Sequence, residues 1–148
     1  NPRSTSVRLR PQLTMMFTVQ SKTPSVNHLY GQSKFGTRYM KPEAKALKLE
    51  IIESIREQAK RQKFVLNDWT ERLLTVTVTV TEDWFTIKNT AKKKDIANRE
   101  KFLIDSVFEA LGLDDKHIWK HTMIKKTDPN PYRFGSNIEI NYWRPKCK

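Results

Sequence analysis

The chain has 148 residues, and 37% of them are hydrophobic, which is enough for one folded domain with its own core. Its 28 lysines and arginines outnumber its 16 aspartates and glutamates, and the formal charge of +12 favours a polyanionic partner, nucleic acid above all. The one cysteine, Cys147, excludes an internal disulfide and a cysteine-rich zinc site. Because the chain has no run of about 18 apolar residues and no secretory signal, we expect a soluble intracellular protein.

The N-terminal region predicts an arm, a strand and a loop. Residues 1–14 contain three arginines, two prolines and no acidic residue. We interpret them as a mobile basic arm or a cloning remnant ahead of a folded domain over residues 15–148. A strand-like segment, MMFTVQ, begins at Met15. The polar stretch after it is interrupted by prolines and glycines, which favours a loop with a short strand near residues 37–40.

Two helices and a strand are predicted in the middle of the chain. Pro42 suits the first turn of a helix, and apolar side chains recur at steps of three and four residues from there to Gln62. Residues 74–81 alternate between apolar side chains and threonine, which is typical of a strand with one buried face. A second apolar helical stripe follows, with Asp95 as the candidate N-cap and Gly112 as the stop signal.

The C-terminal region contains two alternating segments, HIWKHTMIKK and SNIEINYW. The stretch TDPNPYRFG separates them, and we interpret it as the connection between two antiparallel strands. The predicted element order is therefore β-α-β-α-β-β. This order favours an α+β fold, a single domain with a small mixed sheet of about four to five strands and two main helices.

The second predicted helix carries a polar stripe beside its apolar one. Asp95, Asn98, Lys101 and Asp105 follow one another at steps of three, three and four residues, so they share one side of the helix. Isolated carboxylates on a cationic protein usually form salt bridges with neighbouring lysines. An alternative is a site in which carboxylates hold Mg²⁺ or Mn²⁺ and Lys101 stabilises charge or protonates a leaving oxygen.

Two further acids, Asp114 and Asp115, follow the stop signal. A helix of about 16 residues is about 24 Å long at 1.5 Å per residue, so it separates these acids from Asp95. The helix by itself cannot bring the two groups into one site. The sequence leaves open whether the chain after Asp115 runs back along the helix or whether the two ends meet in a partner.

Both groups of acids belong to one sequence signature that resembles the signature of a known family. The order Asp95, Ala97, Asn98, Lys101, Asp105 and then LGLDD resembles the signature of the RusA family of Holliday-junction resolvases, D-x-D-N-x-x-K followed by D-A-L and D-D. Upstream, TPSVNHLY at residues 23–30 is similar to the early P-P-S-x-N-x-x-Y segment of that family. The resemblance covers most of residues 16–126.

The resemblance implies an α+β, homodimeric crossover junction endodeoxyribonuclease, bacterial or phage-encoded, that binds four-way DNA junctions and makes paired nicks with Mg²⁺ or Mn²⁺. Asp95 matches the first catalytic aspartate, Lys101 the catalytic lysine and Asp115 the last metal-binding aspartate. Asp114 and Asn98 match supporting positions, and Asp114 is counted with Asp95 and Asp115 among the expected metal ligands. No small-molecule cofactor and no membrane partner are expected.

The chain departs from this signature at Ala97, where the family has its second catalytic aspartate. A methyl group cannot coordinate a cation, so we expect metal binding to be weakened. Either an engineered substitution has inactivated the nuclease, or the chain is a natural DNA-binding relative that has lost catalysis. We favour the first explanation because the rest of the signature is intact.

The basic side chains near the signature and in the loop before Pro42, together with the polar Asn98, are expected to bind the DNA backbone. The candidates are Lys92, Lys93, Lys94, Asn98, Lys34 and Arg38. A non-catalytic module for branched DNA is the main alternative to a nuclease. An RNA-binding domain also fits the charge, although it does not explain the pattern of acids.

The histidine and most of the tryptophan side chains are expected to have no part in a metal or DNA site. The three histidines are not expected to form a metal site, because His117 and His121 lie four residues apart in a strand pattern and therefore stand well apart. Most tryptophans are expected in the core. Trp84 and Phe85, next to the basic loop, are the aromatic residues expected to stack on exposed bases.

Overall fold

The computed structural model describes residues 13–20, 30–32, 34–36, 38–91 and 97–144, with the backbone alone at 30–32, 38, 97 and 98. In this part of the chain two long helices accompany a mixed four-stranded sheet, which confirms the predicted α+β class and the order of the main elements. Residues 1–12 of the predicted basic arm lie outside the described residues, so that part of the arm stays a prediction. Its last residue, Thr14, already pairs with Asn141 in the sheet, so the predicted end of the arm was wrong.

The elements have the following bounds. The strands are β1 (Thr14–Val19), β2 (Tyr30–Gln32), β3 (Arg38–Met40), β4 (Leu74–Glu82), β5 (Ile118–Thr127) and β6 (Gly135–Tyr142). The helices are α1 (Pro42–Arg61) and α2 (Ala97–Leu111), with short 3₁₀ turns at Leu66–Asp68, Asp115–His117 and Pro131–Arg133.

The sheet has the strand order β1-β6-β4-β5, and β2 pairs with β3 separately. β4 lies between a parallel neighbour, β5, and an antiparallel neighbour, β6. A parallel pair requires a crossover connection, and α2 supplies it. β5 and β6 run in opposite directions as predicted, but β4 separates them, so the connection at 128–134 crosses the end of β4 instead of closing a hairpin.

One core joins both helices to the sheet. The valines of β4 alternate with threonines and are buried, as predicted from their spacing. The apolar stripe of α1 packs into the same cluster as the stripe of α2. Its fully buried members include Met15, Phe17, Ile55, Trp69, Leu74, Val76, Val78, Phe102, Leu103, Ile138 and Ile140.

The β1 edge of the sheet is covered by two glutamines of α1. The Gln58 amide accepts from the Thr18 backbone N–H at 2.9 Å and donates to the Thr18 carbonyl at 2.8 Å. Gln62 bonds the backbone of Met16 in the same way, at 3.1 and 2.7 Å. Unpaired strand edges tend to pair with other chains. These amides cover the β1 edge, and within the described ranges no strand pairs with the outer edge of β5.

Both ends of α2 are fixed by specific interactions. Near its start, Arg99 forms a buried ion pair with Glu82 at the end of β4, which holds the first turn of the helix against the sheet. At its end, Gly112 has φ +73° and the Leu113 N–H donates to the Phe108 carbonyl at 3.0 Å. This is the Schellman pattern, in which glycine is favoured, and the predicted stop is confirmed. The predicted N-cap, Asp95, lies outside the described residues.

Candidate active site

A cleft of about 360 Å³ lies between α2 and the beginning of β5. It contains three carboxyl groups, one ammonium group and one imidazole, with two apolar side chains as its walls. Its lining residues are Glu100, Lys101, Ile104, Asp105, Asp115, Ile118 and His121.

The path of the chain explains how distant residues meet in this cleft. After α2 ends, the 3₁₀ turn at Asp115–His117 leads directly into β5, which runs parallel to β4 and therefore back along α2. Asp115 consequently lies beside Asp105, and His121 reaches Glu100 near the start of the helix. The chain therefore does run back along the helix after Asp115. Asp95 precedes the first described residue of α2, so its position stays a prediction.

Asp105 is half-buried, and several charges act on it. Burial raises the pKa of its carboxyl group, the Lys101 ammonium lowers it, and the Asp115 carboxylate raises it again. The Lys48 ammonium of α1 also lowers the pKa of Asp105. Lys48 lines a second cleft, of about 380 Å³, which Asp105 and Asp115 also line. The Nζ of Lys48 stands 3.5 Å from Glu109 Oε2. Two carboxylates flanked by two lysines form a site suited to a cation and a phosphate together.

Glu100 and His121 form the other end of the cleft. The Glu100 side chain is 4% exposed and its carboxylate contacts Nε2 of His121, whose side chain is 38% exposed. Burial raises the pKa of Glu100 to about 7, and burial also lowers the pKa of His121. Sequence reasoning assigned no role to either residue. The position of His121 on the same side of β5 as the buried valines of β4 follows from the register, which the sequence did not supply.

Asp114 has a clear local role. Its Oδ1 accepts from the Lys116 N–H at 3.0 Å and so caps the 3₁₀ turn, and this hydrogen bond lowers the pKa of the carboxyl group. Asp114 lines the second cleft but not the first.

The donor chemistry of the first cleft fits a hard divalent cation, since Asp105 and Asp115 both offer carboxylate oxygens. Within the described residues, however, no three His, Cys, Asp or Glu side chains are arranged to hold a metal ion.

The structure describes only some of the remaining predicted site residues. Ala97 and Asn98 are the first two residues of α2. Asp95 and the three lysines at 92–94 lie outside the described residues. Lys34 is exposed, with its Nζ 5.2 Å from the centre of the Phe35 ring. Arg38 begins β3.

The expectation for Trp84 was wrong. Its ring is 3% exposed, its indole N–H donates to the Val80 carbonyl at 3.2 Å, and the cations of Arg99 and Lys125 lie over its ring. A side chain held in this way cannot stack on a base. Phe85 is 42% exposed, in accordance with the prediction.

Comparison with known proteins settles the family. The model of the family Endodeoxyribonuclease RusA matches residues 20–140, more than half of the chain. The chain belongs to the RusA family. Membership indicates an endodeoxyribonuclease, and the RusA match includes every residue of both clefts. No curated protein matches the chain. No helix in the described ranges is long and apolar enough to cross a membrane.

Two solved structures resemble the fold distantly. One is the periplasmic domain of Helicobacter pylori MotB, at 12% identity over 88% of this chain and 82% of that chain, with a TM-score of 0.42. The other is the 2C-methyl-D-erythritol 2,4-cyclodiphosphate synthase of Plasmodium vivax, at 11% identity over 92% and 97%, with a TM-score of 0.30. Neither likeness is strong enough to bear on function.

Proposed function

We propose that this RusA-family protein is a structure-specific endonuclease that resolves Holliday junctions by metal-dependent phosphodiester hydrolysis. The observation that carries the proposal is the cleft that brings Lys101, Asp105 and Asp115 together. Family membership supplies the reaction class, and the cleft supplies the chemical groups that this reaction needs.

In the proposed site Asp95 and Asp115 hold Mg²⁺ or Mn²⁺, with Asp114 in support. The bound cation supplies an activated water and neutralises phosphate charge. Lys101 lines the same cleft as Asp115, where its ammonium group stabilises the charge that develops on the phosphate and can protonate the leaving oxygen. Asp105 is placed to hold Lys101 in position, since the two residues lie four apart on one side of α2.

The DNA is bound by positive charge around the cleft. The chain carries a formal charge of +12, and phosphate contacts from lysine and arginine supply affinity without regard to sequence. We assign these phosphate contacts to Lys92, Lys93, Lys94, Lys34 and Arg38, and a neutral polar contact with the DNA to Asn98. The protein acts as a homodimer, because two subunits related by a twofold axis place one site on each of two symmetry-related strands of a four-way junction.

Ala97 sets the activity of the present chain. Without a carboxylate at this position the cation binds more weakly, so the chain binds junctions and cuts them slowly or not at all. A non-catalytic relative that only binds branched DNA is the second candidate, and the alanine at position 97 is the observation that favours it.

The test is a comparison of the present chain with its Ala97→Asp variant on a synthetic four-way junction, with Mg²⁺ and with EDTA. The proposal predicts symmetric nicking by the variant that requires the cation, while linear duplex stays intact. Dimeric Ala97→Asp protein that binds the junction tightly and leaves it uncut in Mg²⁺ and in Mn²⁺ would establish the non-catalytic candidate instead.

A further inference from the structure

The contact between Glu100 and His121 differs from the other ion pairs in the described part of the chain. Lys116 with Asp114 is an exposed pair in a turn, and Arg133 with Asp128 joins an exposed guanidinium to a partly buried carboxylate. Lys48 with Glu109 joins α1 to an exposed carboxylate of α2. Arg99 with Glu82 is buried on both sides and joins α2 to β4. Only in the pair Glu100–His121 is a buried carboxylate in contact with a partly exposed imidazole that opens into a cleft.

The contact between Nε2 of His121 and the Glu100 carboxyl group bears on the state of the imidazole ring. If Nε2 carries the proton of the neutral ring, Nδ1 is left as the acceptor. Burial lowers the pKa of His121, which keeps the ring in its neutral, proton-accepting form. Burial of Glu100 at the helix start and the position of His121 on β5 hold the two side chains together across the cleft wall.

The cleft surrounds His121 with the groups of the proposed reaction. Lys101, Asp105 and Asp115 are the other charged residues that line it, and Ile104 and Ile118 form its apolar walls. A proton acceptor that shares a cleft with Lys101 and the metal-binding Asp115 is placed to accept the proton of an attacking water.

We propose that His121 is a further catalytic residue of the hydrolysis, a general base whose positioning residue is Glu100. The inference rests on the proposed function. As the water oxygen bonds to phosphorus, its proton moves to Nδ1 of His121. The bond from phosphorus to the leaving deoxyribose oxygen breaks, and that oxygen takes a proton from the Lys101 ammonium. Solvent then returns His121 and Lys101 to their starting states.

The first test measures the ring itself in the metal-free, full-length chain. Long-range ¹H–¹⁵N NMR spectra distinguish the two neutral tautomers, and loss of one signal in His121→Gln assigns it among the three histidines. We expect the Nε2–H tautomer, and a shift towards a tautomer mixture in Glu100→Ala. An Nδ1–H ring in the unmodified chain would overturn the proposal.

The second test uses the Ala97→Asp protein as the parent. His121→Ala is expected to lower kcat by about a hundredfold or more with KM nearly unchanged, and added imidazole is expected to restore part of the rate. Glu100→Gln is expected to lower kcat less and to shift the acid limb of the pH–rate profile. His117→Gln is the matched control, since His117 ends the 3₁₀ turn directly before β5 and does not line the cleft. This variant is expected to cut at the parental rate.

The outcomes separate this inference from the proposed function. An active parent whose His121→Ala and His121→Gln variants cut at its rate would overturn the role of His121 and leave the nuclease intact. A slower variant that imidazole does not rescue and whose pH profile is unchanged would also overturn it, since that result indicates a structural role. A parent that never cuts contradicts the proposed function, and the tautomer measurement then decides whether the pair exists as described.

Discussion

Asp105 and Asp115 are ten residues apart in the sequence and line the same two clefts. The turn after α2 and the return of the chain in β5 bring them together, and the proximity has an electrostatic consequence. Burial raises the pKa of Asp105, Lys101 lowers it and the Asp115 carboxylate raises it. The fold therefore holds two acids together at a cost in stability, as metal-binding sites commonly do.

The variant Asp105→Asn tests whether the ionised Asp105 carboxylate lowers the stability of the fold. Because the folded-state pKa of Asp105 is raised, its ionised form disfavours folding, and stability is lost as the pH rises through the ordinary carboxyl range near 4. The variant should therefore be more stable than the parent near pH 7, by only a few tenths of a kcal/mol because the group is partly exposed, and about equally stable near pH 3. Urea unfolding at both pH values measures this difference, and an equal or lower stability of the variant near pH 7 would contradict the electrostatic picture.

Glu100→Gln is expected to have a larger effect of the same sign. Burial raises the pKa of Glu100 from 4.5 to about 7, so the parent loses unfolding free energy as the pH rises through that window and the variant does not. The full shift corresponds to at most about 3 kcal/mol. Chemical denaturation across the pH window checks this, with Glu57→Gln on the exposed face of α1 as the control. Parallel stability curves for parent and Glu100→Gln would refute it.

The buried pair of Arg99 and Glu82 positions the start of α2, and with it the cleft. Arg99→Ala leaves Glu82 buried without this partner and should cost about 3 to 5 kcal/mol of unfolding free energy. Joint replacement, Glu82→Gln with Arg99→Met, should cost much less, because neither variant side chain brings a charge into the core. Guanidinium unfolding of the parent, Glu82→Gln, Arg99→Met and the joint variant forms a double-mutant cycle. Additive losses would show that the two residues act independently.

The role of the lysines at 92–94 is tested by salt dependence. If each contacts a phosphate, replacing Lys92, Lys93 and Lys94 by alanine should reduce the slope of log affinity against log salt by about one per lost contact. Exposed cations at the far end of α1 provide a matched control, Arg56→Ala with Lys60→Ala and Arg61→Ala. Fluorescence anisotropy with a four-way junction measures both slopes. Equal slopes for the two triple variants would mean that residues 92–94 attract DNA only through net charge.

The fold was largely predictable because its patterns are local. The alternation along residues 74–81, the stripe after Pro42 and the glycine at 112 each report one element, and all three predictions are confirmed. The strand order was not predictable in this way. Whether β5 and β6 pair with each other or with β4 depends on long-range contacts, which no local spacing records.

The site residues likewise divide into those that the sequence predicted and those that depend on long-range contacts. Lys101 and Asp115 follow from the resemblance, but that Asp105 and Asp115 share a cleft depends on the reversal of the chain between α2 and β5. Glu100 and His121 were missed because a glutamate beside lysine and a histidine in a strand usually indicate a solvated surface. Their contact becomes visible only when the register of β5 against β4 is known. Trp84 was misjudged because its packing against Arg99 and Lys125 depends on distant residues.

The central claim is that the cleft between α2 and β5, which contains Lys101 and Asp115, is the site of cutting. The most direct measurement is the rate of Mg²⁺-dependent junction cleavage by Ala97→Asp protein that also carries Asp115→Asn, compared with the same protein carrying Glu53→Gln, an exposed carboxyl on α1. We predict that Asp115→Asn lowers the rate by about a thousandfold or more while junction binding is retained, and that Glu53→Gln has no effect. Cleavage by the folded Asp115→Asn protein at the rate of the Glu53→Gln protein would contradict the account.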